Sequence, residues 1–251
     1  MPQVTTATLI LQTFPYGETS RILRLLTATN GVQSAIAKGV RRPRSRFAGV
    51  MEPFAEGMAT LYLKETRELQ TLSDFELTRA RQGLGRDLVR FAGASLLAEI
   101  ILRTVGVDPN PDLFHSACFA LDRVESVSAD RAESVVLGEA WRLIAALGFA
   151  PGIDDCLDCG RVIDGEDPSF DYAAGGVRCS DCARGAPGRR IPFHALAALR
   201  AMIGGADVCL DRTAGHWWLL ARFLDHHVLE GSPLRSFAFL SRAIGAAPCG
   251  D

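Results

Sequence analysis

Apolar and polar residues alternate with a period of about two along the first 78 residues, a spacing that is typical of β-strands. An Asn-Gly pair at 30–31 predicts a tight hairpin turn between two of the apolar runs. Five short strands within about 75 residues predict a small β-barrel, of which the OB-fold is one example. The predicted strands are residues 7–14, 20–28, 32–39, 54–64 and 68–77.

The period changes to that of amphipathic helices after Glu76. The predicted helices are residues 88–106, 111–127, 130–149, 193–205, 215–231 and 234–244. This order predicts an α+β multidomain chain, with an N-terminal OB-fold barrel followed by an α-helical bundle that carries an inserted cysteine-rich module. The predicted domain bounds are 1–78 for the barrel, 79–251 for the helical domain and 152–190 for the inserted module, called here the metal module.

Four cysteines in the metal module have the spacing C-x2-C-x19-C-x2-C, which is typical of a zinc site. Each CxxC presents two thiolates on one tight turn, and four thiolates in tetrahedral geometry suit Zn²⁺. Two redox-active pairs or buried core cysteines are the alternatives, but no thioredoxin-like βαβ pattern surrounds either pair. Four protein ligands leave no open position for water, so the sequence predicts one structural zinc. The predicted ligands are Cys156, Cys159, Cys179 and Cys182.

Composition narrows the class of protein further. The 251 residues are 48% hydrophobic and 22% charged, as in proteins with a buried core. Seven cysteines are an odd number, and the N-terminus has no basic leader before its apolar run, so we expect a reducing, cytoplasmic location. No apolar stretch is long enough to suggest a membrane span.

Positive charge is concentrated near the N-terminus, although the net charge of the chain is -2. Residues 38–46, called here the basic loop, hold five cations and no acid. Such a cluster suits a phosphate backbone, because each cation that contacts a phosphate releases a condensed counterion. A solvated, flexible loop is the alternative. The predicted nucleic-acid contacts are Lys38, Arg41, Arg42, Arg44 and Arg46.

Three aromatic residues lie near the basic loop in the sequence and are candidates for base stacking. They are Tyr16, Phe47 and Phe54, of which Phe47 and Phe54 are equally good candidates for the barrel core.

The metal module has the opposite charge. Residues 154–182 contain eight acids and only two arginines, Arg161 and Arg178. We therefore expect this surface to repel phosphate, and the module to brace the helices or to contact a protein. A solvated acidic face without a partner is the alternative.

Motifs for catalysis on phosphates or acyl groups are missing from the sequence. It contains no GxxxxGK[ST], HExxH or GxSxG pattern, so we expect no catalytic residues. Two other functions remain open at this stage. One is a zinc-dependent nucleic-acid enzyme, and the other is an interaction scaffold whose basic loop docks acidic protein tails.

Three stretches resemble the bacterial RecO recombination mediators. GETSRILRLLTATNG (17–31) is similar to the first hairpin of that family, and AKGVRRPRSRFAGVMEPF (37–54) to its basic Lys-Gly motif. SFDYAAGGVRCSDC (169–182) resembles the cysteine motif of the zinc-bearing members. The order of barrel, helices, cysteine insertion and helices also matches, so the resemblance covers nearly the whole chain.

The resemblance implies a non-enzymatic protein that binds single- and double-stranded DNA and anneals complementary strands. It also implies a role in replacing single-strand-binding protein with RecA, together with the partner RecR. Family members bind the acidic C-terminal tail of single-strand-binding protein. Carried over by position, the five cations of the basic loop are DNA contacts and the four cysteines are metal ligands, in a cytoplasmic protein associated with the nucleoid.

Overall fold

The structure is a computed structural model that describes residues 3–42, 45, 47, 49–64, 66–229 and 232–245. The chain divides into two compact units, Met1–Ser126 and Val127–Asp251. The domain bounds predicted from the sequence remain a prediction. Among the described residues, no helix is both long and apolar enough to cross a membrane.

The first unit contains five strands and two helices. A short 3-10 helix, Gln82–Arg86, leads from the last strand to Asp87, whose side chain accepts a hydrogen bond from the backbone N–H of Arg90 at the start of the first helix. The elements are β1 (Gln3–Tyr16), β2 (Ser20–Thr27), β3 (Gly31–Ala37), β4 (Glu56–Tyr62), β5 (Leu69–Arg79), α1 (Leu88–Thr104) and α2 (Pro111–Ser126).

The five strands close into a barrel in the order β1-β2-β3-β5-β4. Neighbouring strands are antiparallel except β3 and β5, which pair in parallel between Ser34–Ala37 and Leu69–Leu72. The predicted OB-like barrel is therefore confirmed. Strand β1 extends beyond the prediction at both ends, because its first residues pair with β4 and its last residues pair with β2.

A β-bulge at Leu11 changes the direction of the side chains along β1. Ile10 pairs with Leu25 and Gln12 with Arg24, so Leu11 is an extra residue with no partner in β2. Side chains alternate between the two faces of a strand, and an extra residue reverses that alternation. Ile10 belongs to the barrel core, and the even-numbered residues after the bulge lie on the outer face.

The buried guanidinium of Arg81 joins the barrel to α2 within the first unit. Its side chain is fully buried, its Nε donates to Asp122 at 2.6 Å, and one terminal nitrogen lies 2.5 Å from a carboxylate oxygen of Glu56. The other terminal nitrogen donates to the carbonyl oxygen of Phe54 at 3.1 Å. Phe54 and Arg81 both have positive φ, 70° and 47°, a costly conformation for residues with a side chain. The hydrogen bonds of Arg81 therefore hold two strained positions together.

The second unit packs a small ribbon against helices. The aromatic ring of Phe170, on the ribbon, is fully buried, and its centroid lies 6.4 Å from that of Phe223 in a helix. Phe223 in turn contacts Trp141 at 5.2 Å. The elements are α3 (Ala132–Ala146), β6 (Ser169–Asp171), β7 (Gly176–Arg178), β8 (Arg189–Arg190), α4 (Phe193–Ile203), α5 (Ala214–His227) and α6 (Arg235–Ala243).

The ribbon is a three-stranded sheet of order β7-β6-β8 that belongs to the metal module. The side chain of His227, near the end of α5, forms a 2.7 Å hydrogen bond with the carbonyl oxygen of Tyr172. The module thus contacts α5 through the ring of Phe223 and the side chain of His227, in agreement with the expectation that it braces the helices. The six predicted helices are all present, with ends within a few residues of the predicted ones.

Candidate metal centre and candidate nucleic-acid interface

The four cysteines of the metal module converge on one point. Their sulfur atoms all lie within 4.8 Å of one another, and the sulfurs of Cys159 and Cys179 are 3.9 Å apart. Tetrahedral coordination at the usual Zn–S distance of about 2.3 Å places sulfurs about 3.8 Å apart. The arrangement therefore fits a metal ion bound by four thiolates and leaves no ligand position open for substrate.

Two similar turns position these sulfurs. In the first CxxC turn, the N–H of Gly160 donates to the carbonyl of Cys156 at 2.9 Å. In the second, the N–H of Ala183 donates to the carbonyl of Cys179 at 2.9 Å. The φ of Gly160 is +69°, a value that glycine adopts without steric cost. The backbone N–H of Cys179 also points to the sulfur of Cys156 at 3.4 Å, which links the two turns.

Backbone dipoles in the module favour thiolates. Burial raises the pKa of Cys156, but N–H groups of Cys159, Cys179 and Asp158 outweigh burial and lower that pKa to about 6. Hydrogen bonding to Cys179 and Cys159 raises the pKa of Cys182 to about 12. Metal binding requires deprotonated thiols, so a divalent ion bound here would displace the thiol protons.

The acidic surface predicted for the metal module is largely paired within the protein. Arg178 forms ion pairs with Asp158, at 2.8 Å, and with Asp171. Arg161 pairs with Glu166 at 2.9 Å and with Asp181 at 3.5 Å. Three arginines outside residues 154–182 also pair with acids of this stretch and add two to the paired acids, so six of the eight acids have a cationic partner. The additional pairs are Arg184–Asp181 at 3.1 Å, Arg190–Asp167 at 3.9 Å and Arg200–Asp154 at 2.9 Å.

The chain segment that contains the basic loop is anchored in the barrel. Apolar side chains from this segment are buried in the same core cluster as Ile10 and Leu61, so the segment folds back over the barrel core. The amide of Arg41 donates to the carbonyl of Thr19 at 3.0 Å, which ties the loop to the β1–β2 turn. Gly39, with φ +72°, allows the backbone to turn just after Lys38. The buried side chains are those of Val40, Phe47, Met51 and Ala55.

The described cations of the basic loop face solvent. Lys38, Arg41 and Arg42 are exposed. Within the described part of the chain, no carboxylate forms an ion pair with any of the three. The other two predicted contacts, Arg44 and Arg46, lie outside the described residues. The three cations are therefore available to an anionic partner.

The three candidate stacking residues have different environments. Phe47 and Phe54 are 4% and 3% exposed, so they belong to the buried core of the first unit. Tyr16 is 51% exposed, and Phe14, which the sequence analysis did not select, is 47% exposed. From the sequence alone, Phe14 would be predicted to lie in the barrel core, because it continues the alternation that includes Ile10. The bulge at Leu11 reverses that alternation and places Phe14 on the surface.

A thiol outside the cluster shows no sign of reactivity. Cys118, on α2, is buried, and burial together with the nearby Glu56 carboxylate raises its pKa to about 12. The neighbouring His115 is exposed. A protonated, buried thiol is a poor nucleophile.

Comparisons with known proteins cover almost the whole chain. Residues 1–81 match the family model described as recombination protein O N terminal, and residues 85–241 match the one described as recombination protein O C terminal. A protein named DNA repair protein RecO from Nocardioides sp. is 32% identical, covering 93% of this chain and 97% of its own length. Proteins of the same name from Rubrobacter xylanophilus and Anaeromyxobacter sp. strain K are 33% and 34% identical, over 90% and 94% of this chain and 90% and 96% of their own lengths.

Proposed function

The chain belongs to the recombination protein O (RecO) family of DNA repair proteins, and on that premise we propose that it is a non-enzymatic DNA-binding recombination mediator. It binds single- and double-stranded DNA, anneals complementary strands and assists the loading of RecA. The observation that carries this proposal is the exposure of Lys38, Arg41 and Arg42 on the basic loop, for which the described residues offer no carboxylate partner. Arg44 and Arg46 are proposed as further DNA contacts on the sequence pattern alone.

Annealing by this protein needs no chemical step. Two DNA strands repel each other through their phosphates, and neutralising those phosphates lowers the barrier to their approach. Contacts to phosphate carry no sequence information, so the base edges remain free to pair. Lys38, Arg41 and Arg42 supply such contacts from one side of the barrel. In this proposal the protein neutralises the phosphates and the DNA strands pair by themselves, so annealing requires no catalytic centre.

The metal proposed for the cysteine cluster is one structural Zn²⁺. The donor set of four thiolates, the spacing of the sulfurs and the N–H groups directed at them support this identity. When bound, zinc would crosslink the two CxxC turns and so stabilise the ribbon that packs on α5. The ligands are Cys156, Cys159, Cys179 and Cys182.

The proposed partners follow from the family resemblance and from charge. RecR is the proposed protein partner, and the acidic C-terminal tail of single-strand-binding protein is the proposed docking peptide. The proposed location is the cytoplasm, in association with the nucleoid. A scaffold that docks acidic tails is the second candidate function, because unpaired arginines attract carboxylates as well as phosphates.

Oligonucleotide binding over a salt series tests the proposal. We expect log affinity to fall linearly with log salt concentration for both single strands and duplexes. The variant Arg41→Glu/Arg42→Glu should bind both at least about tenfold more weakly, with a salt slope reduced by roughly 1.4 to 1.8. It should also anneal complementary strands more slowly. Unchanged binding by this variant would refute the role of the loop, and loss of acidic-peptide binding without loss of DNA binding would favour the scaffold.

A further inference from the structure

Two exposed aromatic side chains lie at the end of β1, beside the basic loop. Phe14 and Tyr16 are separated by one residue, so their side chains are on the same face of the strand. They are 47% and 51% exposed, more than Met58 (37%) and Tyr62 (36%) on β4, whereas most large apolar side chains of the barrel fill its core. We call this pair the aromatic platform. Two neighbouring exposed rings on a small barrel call for an explanation beyond folding.

The bulge at Leu11 is what exposes the platform. Ile10 points into the core, and in an unbroken strand residues 12, 14 and 16 would point the same way. The extra residue reverses the alternation, so that Thr13 lies opposite the core residue Leu23, and Phe14 lies opposite the half-buried Ile22 on the outer face. Bulges often re-aim side chains near functional sites. Here the bulge moves two rings from the inside of the barrel to its surface.

The strand register brings the platform close to the loop cations. Tyr16 pairs with Ser20 across the β1–β2 hairpin. The next strand, β3, pairs its last residue, Ala37, with Arg21 and is followed directly by Lys38. Adjacent strands are about 4.8 Å apart, so the backbone at Lys38 is roughly 10 Å from that at Tyr16. The hydrogen bond from Arg41 to Thr19 fixes the loop against the same hairpin.

Rings and cations in this arrangement match the two parts of an unpaired nucleotide. Cations bind its phosphate, and an aromatic ring stacks on the exposed face of its base. In a duplex the faces of the bases are covered by neighbouring base pairs, while the phosphates remain accessible. The loop therefore contacts both forms of DNA, whereas the rings add binding energy only for a single strand. OB-fold barrels bind oligonucleotides on the face that includes their second and third strands. Here β2 pairs with the end of β1 that carries the platform, and β3 follows β2 in the barrel.

We propose that Phe14 and Tyr16 stack on unpaired bases and that this stacking makes the protein bind single-stranded DNA more tightly than duplex DNA. This inference rests on the proposed function, since it requires the basic loop to hold the phosphates. The occupant is single-stranded DNA because the cations beside the rings are complementary to its phosphates. A protein surface is the competing occupant.

Binding to three polymers tests the platform in the full-length protein. These are a single-stranded oligonucleotide, the duplex of the same length, and an abasic single strand that has phosphates but no bases. Stacking contributes about 5- to 150-fold in affinity per base. The variant Phe14→Ala/Tyr16→Ala should therefore bind the normal single strand about tenfold or more weakly. Its affinity for the duplex and for the abasic strand should change by less than about twofold, because those polymers offer phosphates only.

Two further variants control for general effects. Tyr16→Phe keeps a stacking ring and should retain most of the single-strand affinity. Tyr62→Ala removes another exposed aromatic from the same barrel, on β4 opposite Gln3 at the far end of β1, and should bind like the original protein. An oligonucleotide with 2-aminopurine adds a direct readout, since its fluorescence should fall on binding to the original protein and less on binding to Phe14→Ala/Tyr16→Ala.

The outcomes separate this inference from the proposed function. If Phe14→Ala/Tyr16→Ala binds the single strand as tightly as the original protein does, the rings do not stack on bases and the inference is overturned. If Arg41→Glu/Arg42→Glu still weakens DNA binding in that case, the rings more naturally contact a protein partner. A uniform loss for all three polymers also overturns it, because the rings would then act through the position of the loop. Unchanged binding by the loop variant overturns the proposed function instead.

Discussion

Arginine is abundant in both the basic loop and the metal module, but its chemical environment differs between them. In the module, Arg161 and Arg178 each pair with two carboxylates. In the loop, Arg41 and Arg42 have no carboxylate partner among the described residues. The arginines of the module hold its own turns together, whereas the described arginines of the loop are exposed to solvent. Charge density along a sequence therefore does not measure the charge that is available for binding.

The first unit repeats this contrast over a short distance. Arg81 is fully buried and is held by Glu56 and Asp122, while Arg79, two residues earlier, is about half exposed and shares Asp122. A buried guanidinium has given up its water and depends on its partners, so its removal leaves carboxylates uncompensated. An exposed one retains most of its hydration.

Among the changes that test this contrast, loss of the metal should have the largest effect on stability. Cys179 is almost fully buried in the cluster, and Cys179→Ser removes one of four thiolates. Structural zinc contributes on the order of 10 kcal/mol to small metal domains, so the second unit should lose bound metal and its cooperative unfolding transition. Zinc content by mass spectrometry and thermal unfolding by circular dichroism measure this.

The matched control for that experiment is Cys209→Ser, which changes an exposed cysteine outside the cluster. It should keep its zinc and its unfolding temperature. If Cys179→Ser also kept both, the cluster would not be a structural metal site. The proposed DNA binding by the loop should survive zinc loss, since the loop is held by contacts with the barrel of its own unit.

Removal of the buried guanidinium should have the next largest effect. Arg81→Met leaves Glu56 and Asp122 without their shared cation and the carbonyl of Phe54 without its donor. The free energy of unfolding should fall by about 3 to 5 kcal/mol, as for other broken buried ion pairs. Urea unfolding of the full chain measures it. Arg79→Met is the control, with an expected loss of about 0 to 1 kcal/mol; equal losses would contradict the distinction.

Removal of the paired module arginines should have the smallest effect. Arg161→Ala/Arg184→Ala deletes exposed cations that are bound to Glu166 and Asp181. Since these charges are neutralised within the protein, DNA affinity should stay within about twofold and the salt slope should not change. A tenfold loss of DNA affinity, comparable with that expected for Arg41→Glu/Arg42→Glu, would show that an arginine paired with a carboxylate can still bind DNA.

The sequence predicted the elements well, because the apolar periodicity of both units is regular. The sequence also predicted that the four cysteines lie together. Each CxxC turn forms locally, so only one long-range contact between the two turns is needed. It did not predict the partners of the charges. Arg190 and Arg200 pair with acids that lie more than twenty residues away in the sequence. Counting the charges within residues 154–182 cannot detect such pairs.

The aromatic platform was missed for a different reason. Phe14 follows an apolar run, which predicts a core residue. Nothing in the sequence indicates that Leu11 is the extra residue of a bulge. A bulge is set by the register against the neighbouring strand, which is a property of two strands together. The parallel pairing of β3 and β5 was equally invisible, because it depends on how the barrel closes.

That parallel pairing has a consequence for how the binding surface can change over evolution. Strands β3 and β4 are not neighbours in the barrel, since β5 lies between them. The connection that carries the basic loop is thus a crossover, and its length is not fixed by the geometry of a two-residue hairpin. Doubling a flexible connection costs only about 0.6 kcal/mol in closure entropy. Insertions or deletions here can add or remove arginines while the strands keep their register, so the proposed DNA contacts can change without a change in the barrel.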